Sequence, residues 1–298
     1  MILLTGATGF IGSHTARALR ESNLPVRALV RPGADTAALK KLDVEIVAGS
    51  LEDPPALERA TQGVEQVIHL VGIIREQPPA VTFERVHTDG TRNLLAAAQK
   101  AGVGKFVYIS AIGARPTAPA RYHQTKWATE ELVRASGLAW IVLRPSVVFG
   151  PGDEFINLLA NDLVRTPPVI PVIGPGTNRL QPLWVKDLAR FIVRCVTSDT
   201  LDNRTLELGG PEQLSLRRIL EILAAYLRVN KPFVSIPLAF VRPAVAIGSA
   251  IAPQLLPITS DQLVMLQEDN ITEQNPFAEG PPAALTSLSE GIREYLQI

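Results

Sequence analysis

Short apolar runs recur along the first half of the chain, separated by stretches of helical character. Ile2–Leu4, Val26–Val30, Val44–Val47, Gln66–Val71, Lys105–Ile109 and Ala139–Leu143 are rich in β-branched residues and largely uncharged. Strands buried on both faces read this way. Between them lie helical segments such as His14–Arg20 and Thr91–Lys100. This alternation predicts an α/β fold with a doubly wound parallel sheet and helices on both faces.

After Arg144-Pro145 the pattern changes. Prolines and glycines cluster at Pro167-Pro168 and at Gly174-Pro175-Gly176. Short strands are expected at Val169–Ile173 and Leu206–Leu208, and helices at Leu188–Val196, Leu216–Leu227 and Leu285–Leu296. The chain therefore divides into a domain over 1–150 and a smaller C-terminal α/β lobe over 151–298, with one or two strands of the lobe added back to the main sheet.

Glycines punctuate the first strand–helix junction at Gly6, Gly9 and Gly12. Gly6 permits a tight turn, Gly9 leaves the main chain open to a phosphate, and Gly12 lets the helix pack against the strand. A pyrophosphate is thereby expected on the unpaired amides at the helix start, against Gly6, Thr8, Gly9, Phe10, Ile11 and Gly12. The second strand arrives at the distance a β-α-β unit requires.

Composition narrows the partners. Basic and acidic residues balance at 29 each, which argues against nucleic acid. The single cysteine, Cys195, sits in an apolar helical run and reads as a buried structural thiol. His14, His69, His87 and His123 lack metal-ligand spacing, so no metal is expected. No charged leader precedes the first strand, which predicts a cytoplasmic protein.

Further cofactor contacts are expected at strand ends. Arg31 ends the second strand where the adenosine ribose is met. No acid follows until Asp35, which favours NADP(H) over NAD(H). Ser50 and Leu51 follow the third strand and are placed over the adenine. Glu52 and Asp53 read as an acidic pair at a helix start. Val71 and Gly72 end the fourth strand, where glycine permits close approach to ribose or phosphate.

Tyr122-His-Gln-Thr-Lys126 lies between the fifth and sixth strands. Four residues apart on a helix, phenol and ammonium share a face. The ammonium is expected to lower the phenol's pKa, equipping the pair to move a proton while hydride passes to or from a nicotinamide.

Together with Leu143–Pro151 (Leu-Arg-Pro-Ser-Val-Val-Phe-Gly-Pro), Phe83–Leu94 and Arg179–Ala189, these motifs resemble the extended or atypical short-chain dehydrogenases/reductases, over about residues 1–230. The tail is similar to one subgroup, the nucleotide-binding accessory subunit of respiratory complex I and its bacterial relatives. The resemblance to nucleotide-sugar epimerases and dehydratases is more distant. It implies a Rossmann-type NADP(H)-binding domain, with Pro145 to Val148 near the nicotinamide.

Two positions depart from the active members. The serine or threonine that bonds the substrate oxygen aligns with Ala111. Ser110 serves as a catalytic residue only if the strand slips by one register. Where sugar-modifying members carry asparagine, this chain has His87, read either as a substrate-side acid or as a satisfied histidine at a helix start. Arg179 is a candidate for a substrate phosphate or carboxylate, or for a salt bridge with Asp187. The expectation is an NADP(H)-binding protein with a degraded catalytic site, holding cofactor in an assembly or regulatory role. The alternative is an active NAD(P)-dependent oxidoreductase or nucleotide-sugar epimerase/dehydratase. Its partner is a small-molecule substrate or a protein. The apolar segment 237–258 is expected to be buried, or else to meet a membrane surface or membrane complex.

Overall fold

The computed structural model describes residues 1–251, 258–278 and 285–297. Six strands and five helices alternate through its first part. They are β1 (Ile2–Thr5), α1 (Phe10–Glu21), β2 (Val26–Val30), α2 (Ala37–Lys41), β3 (Glu45–Ala48), α3 (Pro54–Thr61), β4 (Gln66–His69), α4 (Gly90–Lys100), β5 (Lys105–Ile109), α5 (Arg121–Arg134) and β6 (Ala139–Pro145). Local chemistry sets several boundaries. Asp53 caps α3 by accepting from the Ala56 amide at 3.1 Å, ahead of Pro54 at the first helical position. Such a cap contributes about 1 kcal/mol. Glu52, the other half of the expected acidic pair, reaches Arg85 instead, at 3.0 Å.

The strands form a sheet in the order Arg204–Leu208, β6, β5, β4, β1, β2, β3. The ladders from β3 through to β6 are parallel. Leu3, Val67, Phe106, Tyr108 and Val142 fill one core against α3 and α4. Chain order reverses between β1 and β4, and in open α/β sheets ligands bind beyond the carboxyl ends at such a switch point.

Two compact units result. The first comprises Met1–Pro145 and Val185–Glu207, the second Ser146–Trp184 and Leu208–Ile298. The expected break at 150 therefore falls at 145, and the division is not a single cut. The helix Val185–Thr197 buries an apolar face that includes Leu188, Phe191, Ile192 and Cys195, and packs on α1. That face carries the chain back into the first unit before the strand Arg204–Leu208 joins the sheet edge, the return anticipated from the sequence. Burial pushes the Cys195 thiol up to about 12, so it stays protonated.

The second unit is built around Phe149, Ile156, Trp184, Leu220, Leu223 and Ile292. Three two-stranded pairings frame it: Val148–Phe149 with Leu183–Trp184, Arg179–Leu180 with Leu214–Ser215, and Ile170–Ile173 with Phe233–Ile236. The last helix is shorter than the sequence suggests. Ser287 caps it in a reciprocal box with Glu290, so it begins at Leu288 and ends in a 3-10 turn at Glu294. The sequence also predicts a loop over Asn275–Pro282 before the last helix; part of it and part of the segment 237–258 lie outside the described residues.

Candidate active site

The candidate cofactor residues of the first unit gather along the carboxyl edge of the sheet. Gly6 follows β1 at φ +79°, a conformation that favours glycine. A Cβ on Gly12 would lie 1.9 Å from the Gly6 carbonyl oxygen, so α1 reaches the turn only because that side chain is missing. Gly9 caps α1 without a side-chain hydrogen bond, and the first turn holds no acid. The amides beside Thr8, Phe10 and Ile11 thus open at the positive end of the helix dipole, an arrangement that suits a pyrophosphate. Arg31 is exposed just beyond β2. Ser50 is half-buried, while Leu51 is buried and its carbonyl accepts from Asn93 Nδ2 at 2.9 Å. β4 ends at His69, which leaves Val71 and Gly72 in the loop beyond it. Pro145 closes β6. Val148 lies in the second unit, half-buried in its short strand.

Gly72, His87 and Lys126 come together. A Cβ on Gly72 would point into the space they border, 3.6 Å from both His87 Nε2 and Lys126 Nζ. His87 sits in a π-helical turn over Glu84–Asp89 that leads into α4. Such turns are frequent at functional sites. The buried ring stacks on Phe83 at 5.5 Å and meets Tyr122 edge-on at 5.6 Å. Its Nδ1 lies 3.0 Å from Thr125 Oγ1, and its Nε2 lies 3.1 Å from both the amide nitrogen and the carbonyl oxygen of Ile73. Both ring nitrogens are engaged, as in the satisfied-histidine reading. Desolvation, then Lys126, holds the ring neutral by lowering its pKa well below the usual value.

Lys126 is buried one turn past Tyr122, on the same face of α5. Its Nζ donates to the Ile109 carbonyl at 2.6 Å and stands 4.6 Å above the Tyr108 ring. Burial pulls its pKa down to about 7, against the opposing pull of Glu130. Tyr122 is half-buried, and desolvation pushes its phenol up to about 12. The shift is opposite to that expected from an adjacent ammonium. Lys126 is itself close to half-neutral at pH 7 and spends its short hydrogen bond on Ile109, so desolvation decides the phenol's pKa.

Ser110 is committed to a partner on α5. Its hydroxyl donates to Glu130 Oε1 at 2.5 Å, and both groups are buried. Arg144 binds the same carboxylate through Nε at 2.8 Å and Nη2 at 2.7 Å, and Arg134 adds a bond at 2.5 Å. Both guanidinium groups lie over the Trp127 ring, at 5.6 and 5.1 Å. The cluster ties α5 to the ends of β5 and β6. The Ser110 hydroxyl is therefore occupied by Glu130 in this structure. Arg179, in the second unit, is paired with Asp269 rather than Asp187. It binds Asp269 Oδ2 through Nη2 at 2.8 Å and Nε at 3.0 Å, and its amide donates to Oδ1 at 2.8 Å; that amide, then the guanidinium, lowers the carboxyl's pKa. Asp187 instead holds Arg190.

A buried relay behind the site was not legible in the sequence. Thr91 Oγ1 donates to the His87 carbonyl at 2.5 Å. It must then accept from His69 Nε2, 2.9 Å away, which leaves His69 Nδ1 to accept from Thr5 Oγ1 at 2.6 Å. Hydrogen bonds thus run from the last residue of β1 to the turn that carries His87. Burial, then Lys126, brings the pKa of His69 down to about 3.

Residues 2–209 match the NAD dependent epimerase/dehydratase family. The chain belongs to that family. It is an NAD(P)-binding fold of the short-chain dehydrogenase/reductase type. Among its relatives, it is 37% identical over 194 residues to a ceramide reductase of Caulobacter vibrioides (strain NA1000 / CB15N), covering 65% of this chain and 60% of that one. The chain thus spans less than two thirds of that relative's length. It is 26% identical over 272 residues to the mitochondrial NADH dehydrogenase [ubiquinone] 1 alpha subcomplex subunit 9 of Arabidopsis thaliana, covering 89% of this chain and 67% of the subunit. Among solved structures, MoeE5 in complex with UDP-glucose and NAD superposes with a TM-score of 0.67 at 25% identity, over 79% of this chain and 85% of that one.

Proposed function

We propose that this chain holds NADP(H) at the carboxyl edge of its sheet and has lost most of the family's catalysis, serving an assembly or regulatory role. The observation that carries this reading is the bond from Ser110 to Glu130, with Ala111 standing where a second hydroxyl would be needed. Without that donor a developing oxyanion lacks one preorganised hydrogen bond, worth about 2.7–4 kcal/mol at a well-formed site. Binding is untouched. The residues that would hold the cofactor are the Gly6–Gly12 amides for the pyrophosphate, Arg31 for a 2′-phosphate, and Lys126 for a ribose hydroxyl. A bound nicotinamide supplies or accepts hydride. Tyr122 Oη would exchange the accompanying proton, and its raised pKa keeps it protonated at neutral pH. The proposal keeps the protein in the cytoplasm, in contact with a membrane or membrane complex through 237–258.

The test is to purify the protein, identify the nucleotide it retains, and follow that nucleotide's absorbance with carbonyl compounds and nucleotide sugars. Retained NADP(H) with no turnover supports the holding role. Turnover that disappears in Tyr122→Phe overturns it. That result would establish the second reading, an active reductase, which the convergence of His87, Tyr122 and Lys126 beside Gly72 favours. The likeness to a ceramide reductase makes long-chain lipid carbonyls the first substrates to try.

A further inference from the structure

Of the three large apolar side chains that the described residues expose most, two lie together in sequence. Val234 is 42% exposed in the strand Phe233–Ile236, and Phe240 is 73% exposed in the helix Leu238–Ile251. Along the same helix Ala239, Pro243, Ala244 and Ala246 are exposed, and among its described side chains only Val245 is buried. A helix this apolar belongs in a core unless something else covers it.

Charge indicates what does. No acidic residue occurs between Glu221 and Asp261, whereas Arg228, Lys231 and Arg242 fall in that interval. In a chain with equal numbers of acids and bases the run is one-sided. Arg228 and Arg242 are exposed, and Lys231 is half-buried against the carbonyls of Val164 and Arg165. The nearest acid in sequence, Asp261, belongs to the helix Ser260–Met265, which packs on this one. Exposed apolar side chains in a stretch of chain whose only charges are cations match the boundary between headgroups and acyl chains of an anionic bilayer. No helix among the described residues is long and apolar enough to cross a membrane, so the fit is to a surface.

We propose that the exposed apolar side of the helix Leu238–Ile251, which carries Phe240 and Pro243 together with the exposed Arg242, docks on an anionic phospholipid surface, with Val234 and Arg228 as the neighbouring exposed positions in the sequence. It gives the membrane contact of the proposed function a defined chemistry, and it holds whether or not the protein turns over a substrate.

The experiment is co-sedimentation of the full chain with vesicles of phosphatidylcholine alone or mixed with phosphatidylglycerol. Binding to the mixed vesicles, at least tenfold above the neutral ones and released by salt, is expected. Phe240→Ser alters only an exposed side chain, and it is expected to lose that binding while keeping the parent's melting temperature and nucleotide affinity. Arg228→Glu combined with Arg242→Glu is expected to do the same. Equal binding to neutral and anionic vesicles overturns the proposal, as does no binding to either. A dimer that depends on Phe240 and ignores vesicles also overturns it, and would assign the face to a second copy of the chain.

Discussion

Ser110 Oγ lies 2.5 Å from Glu130 Oε1, and this bond separates the two candidate positions at the end of β5. Ser110 is held by a buried carboxylate that two arginines also bind, whereas Ala111 is half-buried at the next position. Ala111→Ser is therefore expected to raise turnover of a reactive test carbonyl by about tenfold or more, since one oxyanion donor is worth roughly 10²–10³ where geometry is ideal. The gain should vanish when Tyr122→Phe is added. Ser110→Ala should leave turnover unchanged and cost about 1.5–3 kcal/mol of stability, the range for a hydrogen bond to a charged group. Steady-state kinetics and urea unfolding of the three variants check both statements.

Lys126 gives a pH signature of the opposite kind to an ordinary salt bridge. Its folded pKa of about 7 lies below the model-peptide value of 10.5. Between those two values the unfolded chain holds one proton more than the folded one, so stability of the cofactor-free protein rises from pH 7 to 10.5. Below pH 7 the cost of burying the charge is fully present. Lys126→Met removes that slope. The variant should be more stable than the parent at and below pH 7, on the order of a few kcal/mol, and the two should converge above pH 10.5. Urea unfolding at a series of pH values reads this directly. The same variant should retain nucleotide less tightly, since it lacks the ammonium.

Glycine spacing, strand alternation and the Tyr122–Lys126 interval were legible because each is a local pattern with one structural meaning. The parallel sheet and the return of a late strand to its edge follow from such patterns. The excursion of Val185–Glu207 into the first unit was not legible in full, because a helix's period does not say which body its apolar face meets. Glu130 sits one turn past Lys126 and reads as a surface acid. Only the fold brings Arg144 to it from β6. The pairing of Arg179 with Asp269 likewise spans a sequence separation that no spacing rule anticipates. The phenol's pKa went the other way because burial, a property of the assembled site, outweighs the neighbouring amine.

Arg31 is exposed at the carboxyl end of β2, where it can meet a phosphate without rearrangement of the core. Arg31→Asp replaces a charge-assisted donor with a repelling carboxylate. The affinity for NADPH is expected to fall by about 10–100-fold, corresponding to roughly 1.5–3 kcal/mol, while NADH binding is kept or improved. Competition titrations with both nucleotides check the outcome. An unchanged ratio of the two affinities would remove Arg31 from cofactor selection.

His69 ties acid stability to the site. Its folded pKa of about 3 lies below the ordinary 6.5, so between those values the unfolded chain binds a proton that the folded chain refuses. Stability must therefore fall as pH drops from 6.5 towards 3. His87, shifted in the same direction, steepens the fall. His69→Gln cannot take up that proton, so the number of protons linked to unfolding in this window should drop by about one. The variant pays at neutral pH for weakened bonds to Thr5 and Thr91, by about 1–3 kcal/mol. Because Thr91 also holds the His87 carbonyl, the loss should loosen the turn beside Gly72 and weaken nucleotide retention as well. Urea unfolding between pH 3.5 and 7 (approximate limits set by the two pKa values) measures the slope. A variant with the parent's slope would show that the imidazole is not kept neutral, and the hydrogen-bond relay from β1 to His87 would have to be redrawn with a charged ring at its centre.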